Sequence, residues 1–348
     1  MKPINVLSCF DGISAGQVAL ERAGIPVRNY YSFEIDKYAI QVTQSHYPNT
    51  IQLGDIQEWK KWRNKIPVPD LIIGGSPCQG FSNAGRGLNF DDPRSKLFFV
   101  FVDIIKYYKK KNPSLLFLLE NVRMKKEWQN VITEYMGVEP VRINSALLSA
   151  QNRVRLYWTN FGEIEQPEDR CLYLKDVIVD GEVNREKSYT IDANYFKGGN
   201  PRSKFEDGKR QLVFEHQSQK RAMVKIRSLY LTDKEKVEMS IKKGAKTFAS
   251  GKSEGNIQFP QTLDRKSLCL LANGTIGSCR TTNVIDDGYG WRKLTPVECE
   301  RLQTFEDNWT QGISDTQRYK CLGNSWTVDV IVHLLGYFKK NTQEESPK

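Results

Sequence analysis

No apolar run in the 348 residues approaches the roughly 18 that a membrane-spanning helix needs, so an integral membrane protein is excluded. The amino-terminal MKPINVLSCFDG has one lysine and turns polar at Asp11 before any signal-like stretch develops, so export by a cleavable signal is not expected and a cytoplasmic setting is. The seven cysteines (9, 78, 171, 269, 279, 299 and 321) form no Cys-x-x-Cys pair, and an odd, scattered set fits free thiols rather than a disulfide framework. Only three histidines are present, His46, His216 and His333, none spaced like a zinc ligand, so no metal site and no histidine-based triad is expected. The dinucleotide fingerprint G-x-G-x-x-G is missing as well, which disfavours a nicotinamide enzyme.

What is present is the composition of a globular protein, 39% hydrophobic, 11% aromatic and 26% charged. Its length suggests about two domains. Net charge is +10, and residues 197–252 carry fifteen lysines and arginines against six acids, a local +9. Such a window is either a solvated loop surface or the footprint of a polyanion.

Over the first 160 residues, short apolar runs alternate with amphipathic stretches: strands at 4–10, 30–35, 51–53, 70–74, 115–119 and 155–158, with helices at 17–23, beyond 97 and ending at Met136. Leu97, Val100, Phe101, Ile104, Ile105 and Tyr108 mark one apolar helix face. This alternation predicts an α/β fold, a doubly wound and mostly parallel sheet whose ligands bind beyond the carboxyl ends of the strands. From 162 to 290 glycines break the pattern, predicting a second, smaller, irregular domain. Helical periodicity returns after Trp291 and packs back on the first domain (1–161 with 291–340), leaving 341–348 as a frayed tail.

The strand ends carry the candidate chemistry. Phe10-Asp11-Gly12-Ile13 turns from strand to helix and can present backbone amides to a ligand. Glu34, 22 residues beyond Gly12, sits where an acid can hold ribose hydroxyls, and Asp55 can receive an exocyclic amine. Together they suggest a nucleoside-bearing cofactor. Cys78, in Gly74-Gly75-Ser76-Pro77-Cys78-Gln79-Gly80, is either a small buried thiol or a nucleophile offered by a stiffened loop. Glu120, at the end of Leu-Leu-Phe-Leu-Leu, is placed to share or donate a proton. Arg153 and Arg155, two apart, are read as lying on one side of a strand, where they suit an oxyanion, a carbonyl oxygen or a carboxylate, with surface decoration as the alternative.

In order along the chain stand FDGISAG, Glu34, GDI, GGSPCQGFS, ENV, QNRVRLYW, RKLTPVECERLQTF and GNSWTVDVI. This ordered set resembles the cytosine-5 DNA methyltransferases that use S-adenosylmethionine, over about residues 4–161 and 291–338, roughly 60% of the chain. FDGISAG and SAQNRVRLYWTN look closest to the catalytic domain of the animal de novo enzymes and to phage and bacterial relatives. The resemblance implies a methyltransferase fold with 162–290 as the target-recognition region, and flipping of the target base out of double-stranded DNA. It implies that Cys78 attacks carbon 6 of cytosine, Glu120 holds ring nitrogen 3, Arg155 holds the base carbonyl and Arg153 braces the cysteine loop or a phosphate.

It implies further that S-adenosylmethionine is held by Phe10, Asp11, Gly12, Ile13, Glu34, Ile35, Asp55, Ile56, Pro77, Leu97, Asn324, Ser325 and Trp326. Phe305-Glu306-Asp307 departs from the Phe-Pro usual after Arg-Leu-Gln. Two alternatives stay open: a tRNA cytosine-5 methyltransferase, although a second proline before the cysteine is missing, and a catalytically silent accessory relative. A cognate restriction nuclease is a possible partner, and the oligomeric state is not legible.

Overall fold

In a computed structural model, residues 1–77, 96–181, 183, 185–196, 211–216, 269–271, 281–283 and 289–344 are described. The chain divides into two units, one formed by Met1–Val177, Glu186–Phe196 and Thr295–Lys348, the other by Ile178–Arg185 and Lys197–Leu294. Most of the basic window and the whole stretch 78–95, Cys78 included, lie outside the described residues.

The first unit is a seven-stranded sheet ordered β3-β2-β1-β4-β5-β7-β6. The strands are β1 (Ile4–Cys9), β2 (Val27–Phe33), β3 (Ile51–Gln52), β4 (Leu71–Gly75), β5 (Leu116–Val122), β6 (Val141–Asn144) and β7 (Val154–Thr159). β1 to β5 run parallel, whereas β7 runs antiparallel to both β5 and β6. The helices are α1 (Ala15–Arg22), α2 (Lys37–His46), α3 (Lys96–Lys111), α4 (Lys126–Met136), α5 (Leu174–Val177), α6 (Pro296–Leu302), α7 (Asp315–Asn324) and α8 (Val328–Glu344). The doubly wound, mostly parallel sheet expected from the alternation of apolar runs and helices is therefore present.

The central strands are buried on both faces, as their continuous apolar runs require: β1 is buried from end to end, and Leu71, Ile72, Ile73, Leu118 and Leu119 are at most 1% exposed. Helix α3 covers one face through Phe98, Phe101, Ile104, Ile105 and Tyr108, while Leu97 and Val100 are only half-buried. Phe101, Ile104, Ile105 and Tyr108 thus face inward as read in the sequence, whereas Phe98 and Val102 are buried and Leu97 and Val100 lie at the margin of the cluster. β5 continues through Glu120-Asn121-Val122, which the sequence reading placed at its end. Helix α8 likewise extends to Glu344, into the stretch expected to be frayed.

Residues 162–177 and 186–196, read in the sequence with the second domain, pack in the first unit: Leu174, Ser188, Ile191 and Tyr195 are buried there, and Ser188 bridges to Gln151. In the second unit the described strands form two antiparallel pairs. One joins β8 (Leu212–His216) to β11 (Tyr289–Lys293), the other β9 (Cys269–Leu271) to β10 (Thr281–Asn283).

Phe101 is fully buried between α3 and the sheet. Truncation, Phe101→Ala, should cost about 3–5 kcal/mol of unfolding free energy, read as a lower urea midpoint with unchanged slope.

Candidate active site

Three strand ends meet at the carboxyl edge of the sheet. Gly75 of β4 lies in register with Glu120 of β5, and Glu120 in turn with Tyr157 of β7. Because β7 is antiparallel, its beginning rather than its end reaches this edge, and Arg155 is the diagonal neighbour of Glu120. Such neighbours are within reach of long side chains. Arg155 Nε lies 2.8 Å from Glu120 Oε1, with both side chains only 12–13% exposed. The Nε–H is angled off that oxygen and makes no hydrogen bond, while Nη1 donates to the Val154 carbonyl at 2.9 Å.

Asn121, 1% exposed, donates through Nδ2 to Ser76 Oγ at 3.0 Å, fastening the chain just before Pro77 and the Cys78 segment. A Cβ on Gly75 would come within 2.9 Å of Trp326 Nε1 and 3.1 Å of Glu120 Oε2, so glycine there lets the indole and the carboxylate close on one strand end. Pro77 is half-buried.

The guanidinium of Arg153 turns elsewhere. Arg153 is 3% exposed and donates to the carbonyls of Ile191 (3.0 Å), Gly323 (3.2 Å) and Ser325 (2.8 Å). It precedes β7, so strand alternation does not hold it on the face of Arg155, and the expectation that both arginines lie on one side of the strand is corrected. Gln303, fully buried, completes the arrangement: Nε2 donates to the carbonyls of Leu322 (2.7 Å) and Ser325 (3.3 Å), and Oε1 accepts from Thr327 Oγ1 (2.9 Å). Gln151 donates to the Leu302 carbonyl and accepts from the Ile191 amide.

Arg153 and Gln303 thus supply side-chain donors to the carbonyls at the end of α7, beside the Ser325 amide that reaches Cys321 and Leu322, and the Arg153 charge suits the negative end of the helix dipole. They also hold the turn carrying Asn324 (exposed), Ser325 (buried) and Trp326 (half-buried). Gly323 packs so closely that a Cβ would meet the Asp192 backbone at 2.1 Å. In the sequence Gln303 appears only as part of Arg-Leu-Gln, with no role assigned, because one buried amide leaves no periodic signal.

A second cluster lies at the ends of β1 and β2. Phe10 and Ser14 adopt left-handed backbone angles (φ 61° and 63°), unusual for residues other than glycine, as does Gly12 (φ 60°). Phe10 and Leu97, both half-buried, pack against the same apolar cluster, in which Ile56 is a core member; Ile13 is also buried. Asp11 points into the turn, accepting from Ser8 Oγ (2.6 Å), Tyr30 Oη (2.7 Å) and Ser14 Oγ (2.9 Å). Desolvation pushes its carboxyl above the ordinary range, although the three hydroxyls oppose this. Its carboxylate therefore organises the turn rather than facing outward.

Glu34 follows β2. Its Oε2 accepts from the Gly12 amide (2.8 Å) and its Oε1 from the amides of Ile35 (2.7 Å) and Asp36 (2.8 Å). A carboxylate has about four acceptor sites, so one remains for a ligand hydroxyl. Ile35 beside it is 75% exposed. Asp55 caps the 3-10 turn Ile56–Lys61 through the Gln57 amide (2.9 Å) and keeps acceptor capacity. No cluster of metal-ligating side chains occurs among the described residues, nor is any helix there long and apolar enough to cross a membrane.

A family model described as C-5 cytosine-specific DNA methylase matches residues 4–340. The type II methyltransferase M.NlaX of Neisseria lactamica is 29% identical over 94% of this chain and 93% of its own. The orphan methyltransferase M.SPRI of Bacillus phage SPR is 36% identical over 45% of this chain and 37% of its own. Among solved structures, the Entamoeba histolytica methyltransferase EhMeth shares the fold, with a TM-score of 0.58 at 18% identity over 98% of this chain and 99% of that one.

Arg153→Met should destabilise the first unit by roughly 2–4 kcal/mol, seen in urea unfolding, because buried carbonyls lose a charged donor. A pH dependence follows from Asp36, which caps α2 and pairs with Lys320 of α7 at 2.7 Å. Burial would raise the Asp36 pKa, but the Lys320 hydrogen bond and charge, with the Tyr38 amide, hold it below the usual carboxylate range; the same hydrogen bond raises Lys320. The pair's contribution is therefore constant from about pH 5 to 10. It fades in acid as Asp36 protonates, and in base as Lys320 loses its proton. The stability difference between wild type and Asp36→Asn should be below about 1 kcal/mol at pH 7, should shrink as the pH falls below the ordinary carboxylate range, and should be gone only below the lowered folded-state pKa of Asp36.

Proposed function

Because the chain belongs to the family of C-5 cytosine-specific DNA methylases, we propose that it transfers a methyl group from S-adenosylmethionine to carbon 5 of a cytosine flipped out of double-stranded DNA. The observation that carries this reading is the Glu120–Arg155 pair at the edge where β4 delivers the chain toward Cys78. Two residues, Ser76 and Pro77, separate Gly75 from Cys78, so three residue steps span about 11 Å of chain at most.

Carbon 5 of cytosine is too weak a nucleophile to take a methyl group unaided. The Cys78 sulfur adds to carbon 6, and the electron pair displaced from the 5,6 double bond makes carbon 5 nucleophilic. Glu120 holds a proton at ring nitrogen 3 and accepts from the exocyclic amine, which separates cytosine from thymine. Arg155, held beside that carboxylate, donates to the base carbonyl. After methyl transfer carbon 5 gives up its proton to a water molecule, the electron pair of that bond re-forms the 5,6 double bond, and the Cys78 sulfur leaves with its own electron pair as thiolate. Arg153 acts as a positioning residue, through the turn that carries Ser325 and Trp326.

S-adenosylmethionine supplies a sulfonium methyl as electrophile. Its fit rests on the free acceptor site of Glu34, the acceptor capacity of Asp55, the exposed Ile35 and the half-buried Phe10 and Leu97. Gly12 and Ile13 give backbone to that turn, Ile56 backs it from the core, and Pro77, Asn324, Ser325 and Trp326 border the methionine end. Asp11 serves indirectly, by fixing the turn.

The test is transfer of a labelled methyl group to duplex DNA containing all short sequence contexts, with tRNA as a parallel acceptor. Wild type should label DNA, Cys78→Ser should fall to background, and Glu120→Gln should slow transfer by about 10²–10⁴-fold. Labelling of tRNA alone would overturn the DNA reading. Failure to trap a covalent adduct on 5-fluorocytosine DNA, despite binding, would overturn the catalytic one.

A further inference from the structure

Counting charge along the chain finds one basic window, but the fold builds a second. Residues 60–65 (Lys-Lys-Trp-Arg-Asn-Lys) and 106–111 (Lys-Tyr-Tyr-Lys-Lys-Lys) are too short and too far apart to stand out in the sequence. In the structure they adjoin. Tyr107 Oη donates to Asn64 Oδ1 at 2.7 Å, Lys111 Nζ to the same oxygen at 3.2 Å, and Tyr108 Oη to the Arg63 carbonyl at 3.4 Å. The Arg63 guanidinium lies 5.2 Å and the Lys111 ammonium 4.6 Å from the Tyr107 ring centre.

These twelve residues hold eight cations and no carboxylate; the other four are Trp62, Asn64, Tyr107 and Tyr108. Lys60, Lys61, Lys65, Lys106, Lys109, Lys110 and Lys111 are exposed, and only Lys61 is paired with an acid, Glu58, among the described residues. Lys65 lies 5.4 Å from the Trp62 ring centre. Packing cations on aromatic rings keeps their charge available while reducing side-chain freedom.

The position of this surface decides what it can meet. Helix α3 begins just after the segment that leaves the carboxyl edge of β4 and ends at Lys111, before β5 starts. At 1.5 Å per residue, its final lysines lie roughly 20 Å back from that edge, toward the amino ends of the strands. A duplex about 20 Å wide, seated on the carboxyl edge, does not also lie along this surface unless it folds back. Eight cations, of which only Lys61 meets an acid among the described residues, suit phosphate, and DNA is the polyanion of the function proposed above.

We propose that the surface formed by residues 60–65 and 106–111 binds the phosphate backbone of a second segment of duplex DNA, distinct from the segment being methylated. The inference rests on the DNA reading of the site above. Its consequence is direct transfer: the protein moves between DNA segments through a doubly bound state instead of dissociating first. Contacts of this kind are independent of sequence and fall steeply with salt.

The test compares the full-length protein with Lys60→Gln/Lys65→Gln/Lys109→Gln/Lys110→Gln, which leaves Arg63 and Lys111 on Tyr107. Methyl transfer to a short duplex should be unchanged within about twofold, reporting an intact fold and active site. Release from a labelled duplex is then followed as unlabelled duplex is added. The wild-type release rate should rise in proportion to competitor, and the variant's dependence should fall at least about fivefold. Its log–log salt dependence should drop by about three to four units, one per lost phosphate contact. A wild-type release rate indifferent to competitor, or a variant as steep as wild type, would overturn the proposal. If single-stranded RNA but not duplex DNA drives release, the duplex assignment is overturned. Loss of short-duplex methylation in the wild type would instead count against the DNA reading itself.

Discussion

The direction of a single strand governs the candidate active site. Were β7 parallel to β5, the residues at its start would emerge at the amino edge of the sheet, remote from Gly75 and the chain leading to Cys78. Inserted antiparallel, it turns Arg155 onto Glu120, and the two side chains neutralise each other where little solvent reaches them. A carboxylate and a guanidinium so placed are costly to leave unpaired, so each constrains the other. The pair stays open at Glu120 Oε2, which faces the glycine end of β4.

A second constraint comes from the end of α7. Its last carbonyls are met by side chains from two distant parts of the chain, Arg153 before β7 and Gln303 after α6, with Gln151 linking the same two segments. Ser149 donates to the Leu302 carbonyl, and Ser145 to Thr327. A buried polar network of this kind stabilises only when every member is satisfied, which fixes one arrangement of the Asn324-Ser325-Trp326 turn rather than several. The same turn borders the first cluster through Trp326, whose ring approaches both Gly16 and Gly75. Positive φ at Phe10 and Ser14 is tolerated within this frame because Asp11 ties the turn to Ser8, Ser14 and Tyr30.

Charge tells a different story at the level of the chain and of the surface. Part of the net positive charge lies between 197 and 252, where the linear count is plain. The lysines of α3 and of the loop before β4 escape such counting, since each group is six residues long. They become one surface only because α3 lies antiparallel to the strand it follows and returns its end to that loop.

The alternating apolar runs determined the doubly wound sheet, because strands buried on both faces must be apolar throughout and their crossovers must be amphipathic. The residue types also marked where to look for chemistry: Glu34 and Asp55 follow strands, and Glu120 and Arg155 lie near the ends of theirs, where polar residues have no packing role to explain them. Only the tertiary structure decided that Arg153 faces carbonyls while Arg155 faces Glu120. It alone decided that Asp11 turns inward, that Gln303 holds the Ser325 turn, and that β5 runs on through Val122. Each of these depends on a partner tens to hundreds of residues away, and periodicity carries information only about the face a side chain shows, not about which distant group it will meet there.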